Sequence, residues 1–325
     1  MRFLVTGGAG FIGSHIAERL LREGHFVRVL DNFSTGKEEN LAFVKQYAIP
    51  NTQYELIRDD IRNKEACLTA CKGIDYALHQ AALRSVPKSM KEPHSYNQVN
   101  IDGTLNLLEA AREEKLKRFV FASSSSVYGD VATFPEKEDF YPELISPYAL
   151  SKLAGEYYCR IFSAHYSLET IALRYFNVFG PRQALDDEYA VVIPKFIHCI
   201  LNDEPPPIFG NGKQSRDFTY IDNVVEANIL AATTAFSPSP KANHAVFNVA
   251  NGCDHTVLEL VGLLNKIIAK EIKPAFLPIR PGDVFRTLAD ITLIKEKLGF
   301  QGKVDFEEGL RRTVEYFKES VAHKN

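Results

Sequence analysis

The chain carries a tyrosine and a lysine four residues apart, in Tyr148-Ala149-Leu150-Ser151-Lys152, directly after Pro147. Proline suits the first position of a helix, and residues four apart share one helical face, so a phenol and an ammonium are expected side by side. A free tyrosine has a pKa of about 10, and acting as a base near neutrality asks for a shift of ~3 units, or roughly 4 kcal/mol. A neighbouring cation is the right kind of charge to supply it. The same spacing is common on solvated helix faces, so the pair takes its meaning from what surrounds it. A run of hydroxyls, Ser123-Ser124-Ser125-Ser126, ends the apolar stretch that begins near Arg118. Ligands of open α/β sheets sit beyond the carboxyl ends of strands, which points these hydroxyls at a crevice; a serine run is equally an ordinary turn.

Context comes from the N-terminus. Gly7-Gly8-Ala9-Gly10-Phe11-Ile12-Gly13 lies between a β-type run and an amphipathic helical segment. Gly7 permits a tight turn, Gly10 lets the backbone approach a pyrophosphate, and Gly13 allows close helix–sheet packing, with the helix N-terminus facing the phosphates. The second strand ends at Asp31, eighteen residues after Gly13. A carboxylate there accepts hydrogen bonds from an adenosine ribose and repels a 2′-phosphate. Asn32, Phe33 and Ser34 follow in place of an arginine, so the pattern calls for NAD rather than NADP. The alternative is a glycine turn in an α/β domain that binds nothing.

The elements that must position these groups are legible as short apolar runs alternating with longer segments of helical period. Strands are expected at 3–6, 26–31, 53–58, 76–80, 118–123, 170–175 and 246–250, with helical stretches such as 13–23, 99–115 and 148–166. That alternation predicts an α/β fold, a parallel sheet wrapped on both faces. After Asn177 it weakens and Pro and Gly increase, which marks a second, smaller unit for substrate. The 325 residues, 45% hydrophobic, suit one large domain with such an appendage. A net charge of -3 provides no basic field for nucleic acid or anionic lipid. No signal-peptide pattern or membrane-length apolar run is present, and a cytoplasmic location is expected. Five scattered cysteines, Cys67, Cys71, Cys159, Cys199 and Cys253, form no disulfide framework and no metal-ligand set, so no metal is expected.

Taken in order, TGGAGFIGSHIAERLL, LDNFSTGK, HQAALRSVPKS, the serine run, SPYALSKLAGE, LRYFNVFGPRQ, SRDFTYIDN and RPGD cover nearly the whole chain. The series resembles the extended short-chain dehydrogenase/reductase superfamily, in its NAD-dependent nucleotide-sugar epimerase branch. The resemblance implies a Rossmann-type doubly wound sheet with a smaller C-terminal mixed α/β domain. It divides the chain into an NAD-binding part, 1–177 with about 220–250, and a nucleotide-sugar part, 178–219 with 251–325. It implies Ser124, Tyr148 and Lys152 as catalytic residues. The NAD cradle would be Gly7, Gly10, Phe11, Ile12, Gly13, Asp31, Asn32, Ser34, Gly36, Asp60, Ile61, Gln80, Ala81, Ala82, Asn100 and Tyr175, together with Tyr148 and Lys152. The UDP-sugar would meet Ser85, Ser124, Ser125, Tyr148, Asn177, Val192, Lys195, Arg216, Arg280, Asp283 and Thr287; arginines suit phosphate through planar, charge-assisted contacts. A homodimer through segments 97–115 and 148–166 is implied as well.

The implied chemistry is oxidation of the sugar C4 by NAD, with Tyr148 as base, and reduction from the opposite face. Lys152 would hold the nicotinamide ribose and lower the tyrosine pKa. A dehydratase of this branch would carry an Asp-Glu pair after the catalytic hydroxyl, where this chain has Ser125 and Ser126. The small Thr287, four residues after the RPGD aspartate, points to an N-acetylated sugar, hence UDP-N-acetylglucosamine and UDP-N-acetylgalactosamine, with the non-acetylated pair as further substrates. Arg84, where many relatives carry a small residue, keeps a uronate in play. A non-catalytic NAD-binding protein is the remaining alternative.

Overall fold

The computed structural model describes residues 1–47, 53–184, 192–235, 244–279 and 284–322. Seven strands form one sheet in the order His244–Val249, Glu169–Tyr175, Arg118–Ser124, Tyr76–His79, Arg2–Thr6, Phe26–Leu30, Tyr54–Ile57. Every neighbouring pair is parallel. The strand order steps outward in one direction from Arg2–Thr6 and then in the other from Tyr76–His79, so a crevice opens at the carboxyl ends of these two strands.

The apolar runs are continuous because the sheet is covered on both faces. Within Arg2–Thr6, Phe3 and Val5 join one apolar cluster and Leu4 the other. Side chains alternate across a strand, so each face builds its own core. The cluster holding Phe3 runs on to Leu260, Leu264, Phe306 and Leu310 in the C-terminal helices, so the later segments pack as an extension of the same interior. Among the described residues three two-stranded ladders lie outside the main sheet: Thr219–Tyr220 with Val178–Phe179, Asp254–Thr256 with Ser215–Asp217, and Ala275–Leu277 with Pro207–Phe209.

Two helices differ from expectation in instructive ways. The helix Pro147–Tyr166 starts one residue early because Ser146 caps it, accepting from the Ala149 N–H at 3.1 Å. The helix expected at 99–115 is instead a π-helical turn, Asn97–Asp102, followed by an α-helix, Gly103–Glu113. The wider turn re-aims Asn100, whose amide donates to the Leu83 carbonyl and to Ser151 Oγ, both at 2.9 Å, and accepts from the Leu83 N–H at 2.8 Å. Among the described residues no helix is long and apolar enough to cross a membrane.

Candidate active site

One cavity of about 1240 Å³ opens at the crevice. At one end the glycine loop forms its floor. Gly7 has φ +66°, and a Cβ there would lie 2.8 Å from the Ala81 nitrogen; a Cβ on Gly13 would lie 2.2 Å from the Gly7 carbonyl oxygen. Only glycine fits this fold of the chain at both positions. The helix Phe11–Arg22 then begins with Gly10 at its N-cap, with no side chain capping it and no acidic residue in its first turn. Its leading N–H groups therefore face the cavity as an anion-binding surface. Asp31 is 7% exposed and lines the same end. Its carboxylate accepts from the Ala9 N–H at 2.9 Å and the Phe33 N–H at 2.8 Å. Two oxygens with two acceptor sites each leave capacity for ribose hydroxyls.

Beside it, Asn32 donates to Asp60 at 2.6 Å, and Arg62 grips the same carboxylate at 2.9 and 2.8 Å. The hydrogen bonds from Arg62 hold the Asp60 carboxyl down at about 2. Gln80, Tyr175 and Asn228 form a closed trio: the Tyr175 hydroxyl meets Gln80 Oε1 at 3.2 Å and Asn228 at 2.8 Å, and Gln80 donates to Asn228 at 3.0 Å. These residues fit an adenosine diphosphate in the manner expected of a dinucleotide site: donors and a bare helix end for phosphate, acceptors for ribose.

At the other end lie the hydroxyls and the Tyr–Lys pair. The helix Pro147–Tyr166 presses on strand Arg118–Ser124 so closely that a Cβ on Gly155 would lie 2.3 Å from Phe121 Cζ. Glu156 on that helix pairs with Arg174 at 2.9 and 2.8 Å, both about 5% exposed, and accepts from Ser123 Oγ. Removing either charge would strand the other in the interior, so helix and strand end are fixed relative to one another. Ser124 and Tyr148 come to the same wall of the cavity as a result, near enough for the serine hydroxyl to act on the phenol. Lys152 is buried, with Nζ 2.8 Å from the Ala122 carbonyl oxygen and 5.9 Å from the Tyr148 ring.

Burial raises the Tyr148 phenol above its ordinary value; the Ser124 hydrogen bond and then the Arg84 charge pull it back. Lys152 donates to the Ala122 carbonyl at 2.8 Å and keeps its ammonium 5.9 Å from the Tyr148 ring, so its charge reaches the phenol without touching it. Burial lowers Lys152 itself to about 8, so it stays largely charged at neutral pH. His79 beneath it is fully buried between Thr6 and Thr104 and pushed down to about 3, hence neutral.

The cavity brings together Gly7, Gly10, Phe11, Ile12, Gly13, Asp31, Asn32, Ser34, Asp60, Ile61, Gln80, Ala81, Ala82, Ser85, Ser124, Ser125, Tyr148, Lys152, Tyr175, Asn177, Arg216 and Thr287. Four expected residues stand off its wall. Gly36 packs behind Ala9 and Asp31 as a buttress, Asn100 is spent on Leu83 and Ser151, and Val192 and Lys195 ride on the separate helix Val192–Leu201. Arg280 and Asp283 lie outside the described residues. Arg216 donates to the Ser215 and Phe285 carbonyls, while its neighbour Asp217 is wholly buried on backbone N–H groups. Asn177 fixes Thr287 by donating to its hydroxyl at 2.9 Å.

Sequence reasoning missed Arg62, Ser126, Arg182 and Gln183 on the wall. The serine run and the GPRQ segment held the signal for three of them; Arg62 had none. Among the described residues no group of three or more His, Cys, Asp or Glu could hold a metal ion.

Residues 3–250 match the family model described as NAD dependent epimerase/dehydratase family. The chain belongs to that family. Among solved structures, a UDP-N-acetylglucosamine 4-epimerase from Methanobrevibacter ruminantium, in complex with UDP-N-acetylmuramic acid, is 42% identical, with 98% of each chain covered and a TM-score of 0.89. A UDP-glucose 4-epimerase from Thermotoga maritima, with UDP-glucose, is 40% identical over 99% of this chain and 100% of that one, with a TM-score of 0.90. A UDP-glucuronic acid 4-epimerase from Bacillus cereus, in complex with UDP-glucuronic acid and NAD, is 34% identical over 98% and 100%, with a TM-score of 0.88. Like others of the epimerase/dehydratase family, the chain takes NAD as its cofactor, and the glycine loop, Asp31 and the bare helix end supply the chemistry a dinucleotide needs.

Proposed function

We propose that the protein is a UDP-sugar 4-epimerase that interconverts UDP-N-acetylglucosamine and UDP-N-acetylgalactosamine through a 4-keto sugar, and also accepts the non-acetylated pair. The observation that carries this reading is the convergence of Ser124, Tyr148 and Lys152 on the cavity that also holds the glycine loop and Asp31. Bound NAD supplies a reversible hydride acceptor at the sugar C4. Tyr148 takes the proton of the 4-hydroxyl and later returns it. Ser124 holds the same oxygen in place. Lys152, charged and buried, orients the nicotinamide ribose and adds its positive field. Ser125 and Ser126 beside the catalytic hydroxyl offer no acid to drive dehydration, so the keto sugar is reduced again.

In this reading residues 1–177 with about 220–250 bind NAD, and 178–219 with 251–325 bind the nucleotide sugar. Asn177, Arg216, Arg280 and Asp283 serve the uridine diphosphate, and Thr287 leaves room for the acetamido group. The 42% identity to a UDP-N-acetylglucosamine 4-epimerase supports the choice of sugar. Arg84 favours one second reading, a UDP-uronate: it lines the cavity and its charge reaches Tyr148, where a sugar carboxylate would welcome it. A homodimer through segments 97–115 and 148–166 completes the proposal, supported by Leu150, Tyr157 and Ile161, which are 53, 54 and 46% exposed along one helix.

Separate incubations with UDP-N-acetylglucosamine, UDP-glucose and UDP-glucuronate, with products resolved by NMR at C4, test the choice. Inversion of the first at the highest kcat/KM is expected. Turnover of the glucuronate alone would replace the first reading with the second.

A further inference from the structure

Tyr96 is 3% exposed and stands edge-on to the Tyr148 ring, with centroids 6.3 Å apart and the two planes at 85°. It takes no part in the chemistry assigned above. Its hydroxyl donates to the Arg84 carbonyl at 2.6 Å and lies 2.9 Å from the Ser85 carbonyl oxygen. One side chain thus touches the ring of the proposed base and the backbone of the residue whose charge acts on it.

That backbone needs holding. Ser85 has φ +104° and ψ +106°, a conformation that a residue with a Cβ keeps only where its surroundings enforce it. On its far side Ser85 caps the helix Val86–Lys91, accepting from the Lys88 N–H at 3.3 Å. On its near side the Asn100 amide grips Leu83 and reaches Ser151 Oγ, which donates to the Tyr148 carbonyl at 2.8 Å. Tyr96 and Asn100, four residues apart, therefore tie the strip from Leu83 to Ser85 to the first turn of the helix Pro147–Tyr166. Arg84 sits at the middle of the strip, its side chain exposed on the cavity wall. The other ionisable groups around Tyr148 are Lys152 on its own helix, and Lys88, Lys91 and His94 on the short helices Val86–Lys91 and Pro93–Tyr96 that pack against it.

We propose that Tyr96 is a positioning residue: its hydroxyl pins the backbone of Arg84 and Ser85 beside the Tyr148 ring, and so holds the Arg84 guanidinium toward the Tyr148 hydroxyl. The inference rests on the epimerase reading for the role of Tyr148, and on no particular sugar within it. With NAD and sugar filling the cavity, water leaves and the same charge acts more strongly on the phenol.

The test is Tyr96→Phe, which keeps the ring against Tyr148 and removes the hydroxyl. Saturating NAD is present throughout, so the fold is held should the lost hydrogen bonds lower stability. Tyr148 is titrated by the ultraviolet absorbance of tyrosinate, each protein being compared with the same protein carrying Tyr148→Phe. Its pKa should rise by about 0.5 to 1 unit in Tyr96→Phe and by a similar amount in Arg84→Gln, which changes an exposed side chain. Arg84→Lys, which keeps the charge, should restore most of the wild-type value. In the Arg84→Gln background Tyr96→Phe should add little. In turnover, kcat below that pKa should fall about three- to tenfold, with KM changed less and the loss shrinking as the pH rises through the titration. A lower melting temperature with the titration unmoved would reduce Tyr96 to a packing residue and overturn the assignment. So would an unmoved titration in Arg84→Gln, or full additivity of the two substitutions. The titration needs no turnover, so a wild-type protein that converted none of the UDP-sugars would refute the epimerase reading separately from any of these results.

Discussion

Replacing Glu136 with glutamine should flatten the pH dependence of stability on the alkaline side. Glu136 is 1% exposed and lies against the segment that carries Thr287. Its backbone N–H donates to the Leu288 carbonyl at 2.7 Å, its carbonyl accepts from Asp290 at 2.8 Å, and its Oε2 accepts from the Leu288 N–H at 3.1 Å. Its Oε1 has no partner among the described residues. Burial pushes this carboxyl up to about 8, with the Asp217 charge adding to the rise and the Leu288 N–H and Arg216 opposing it. Asp217, 0% exposed, is raised by burial to about 7 and accepts from Ala289 at 3.3 Å, so two carboxyls flank the same stretch of backbone.

A carboxyl whose pKa rises on folding stabilises the fold fully below its unfolded value, near 4.5, and that stability drains away as the pH climbs through the folded value. Across a window from 4.5 to about 8, Glu136 alone gives up ~5 kcal/mol at about 1.4 kcal/mol per unit. Glutamine keeps an oxygen for the Leu288 N–H and never ionises. At about pH 5 the two proteins should agree within ~1 kcal/mol, and at about pH 8.5 the variant should lead by roughly 4–5 kcal/mol. Urea unfolding at both pH values, each with the same saturating NAD, measures the difference. Curves of stability against pH that run parallel for the two proteins would refute the reasoning.

Two further outcomes follow from the packing and the cofactor end. Asp31→Asn removes the charge that faces the ribose, so NAD retained through purification should fall and NADP, excluded by the wild type, should be accepted; the affinity change for NAD should be about 10- to 100-fold, the worth of a charge-assisted hydrogen bond. Nucleotide released on heating the protein and separated by chromatography reports both. Gly155→Ala puts a methyl group 2.3 Å from the Phe121 ring, which is 2% exposed and has no room to yield. Stability should fall by about 2 kcal/mol, and kcat should fall with it because Tyr148 and Lys152 ride on the displaced helix; a variant with wild-type melting temperature would show that the contact relaxes freely.

The fold was legible wherever one periodicity ruled a segment. Runs such as Phe3 to Thr6 are uniformly apolar because helices cover the sheet on both faces, and every strand expected from such a run lies in the main sheet. The small ladders were not legible. Val178–Phe179 and Thr219–Tyr220 are two residues each, too short for any pattern, and exist only because the chain returns to the same place. The π-helical turn at Asn97–Asp102 was hidden for a different reason. Its residues have ordinary helical character, and the extra width is imposed from outside, by an Asn100 amide that must reach Leu83 in one direction and Ser151 in another.

The site divides along the same line. Gly7, Gly13 and Asp31 were readable because each does its work through its own backbone or its place at a strand end. Residues whose role depends on where a neighbour has turned were not. Asn100 looks like a ligand contact until Leu83 and Ser151 are seen to occupy it. Tyr148 is the sharpest case. Spacing paired it with Lys152, and the family resemblance assigned the lysine the task of lowering its pKa. In the folded chain the lysine donates to Ala122 with its ammonium 5.9 Å from the phenol ring, burial raises the phenol, and Ser124 and Arg84, sixty-four residues away in sequence, join the opposing pull. A helix places two side chains on one face; which charge a buried phenol feels is decided by the loops and strand ends that close over it.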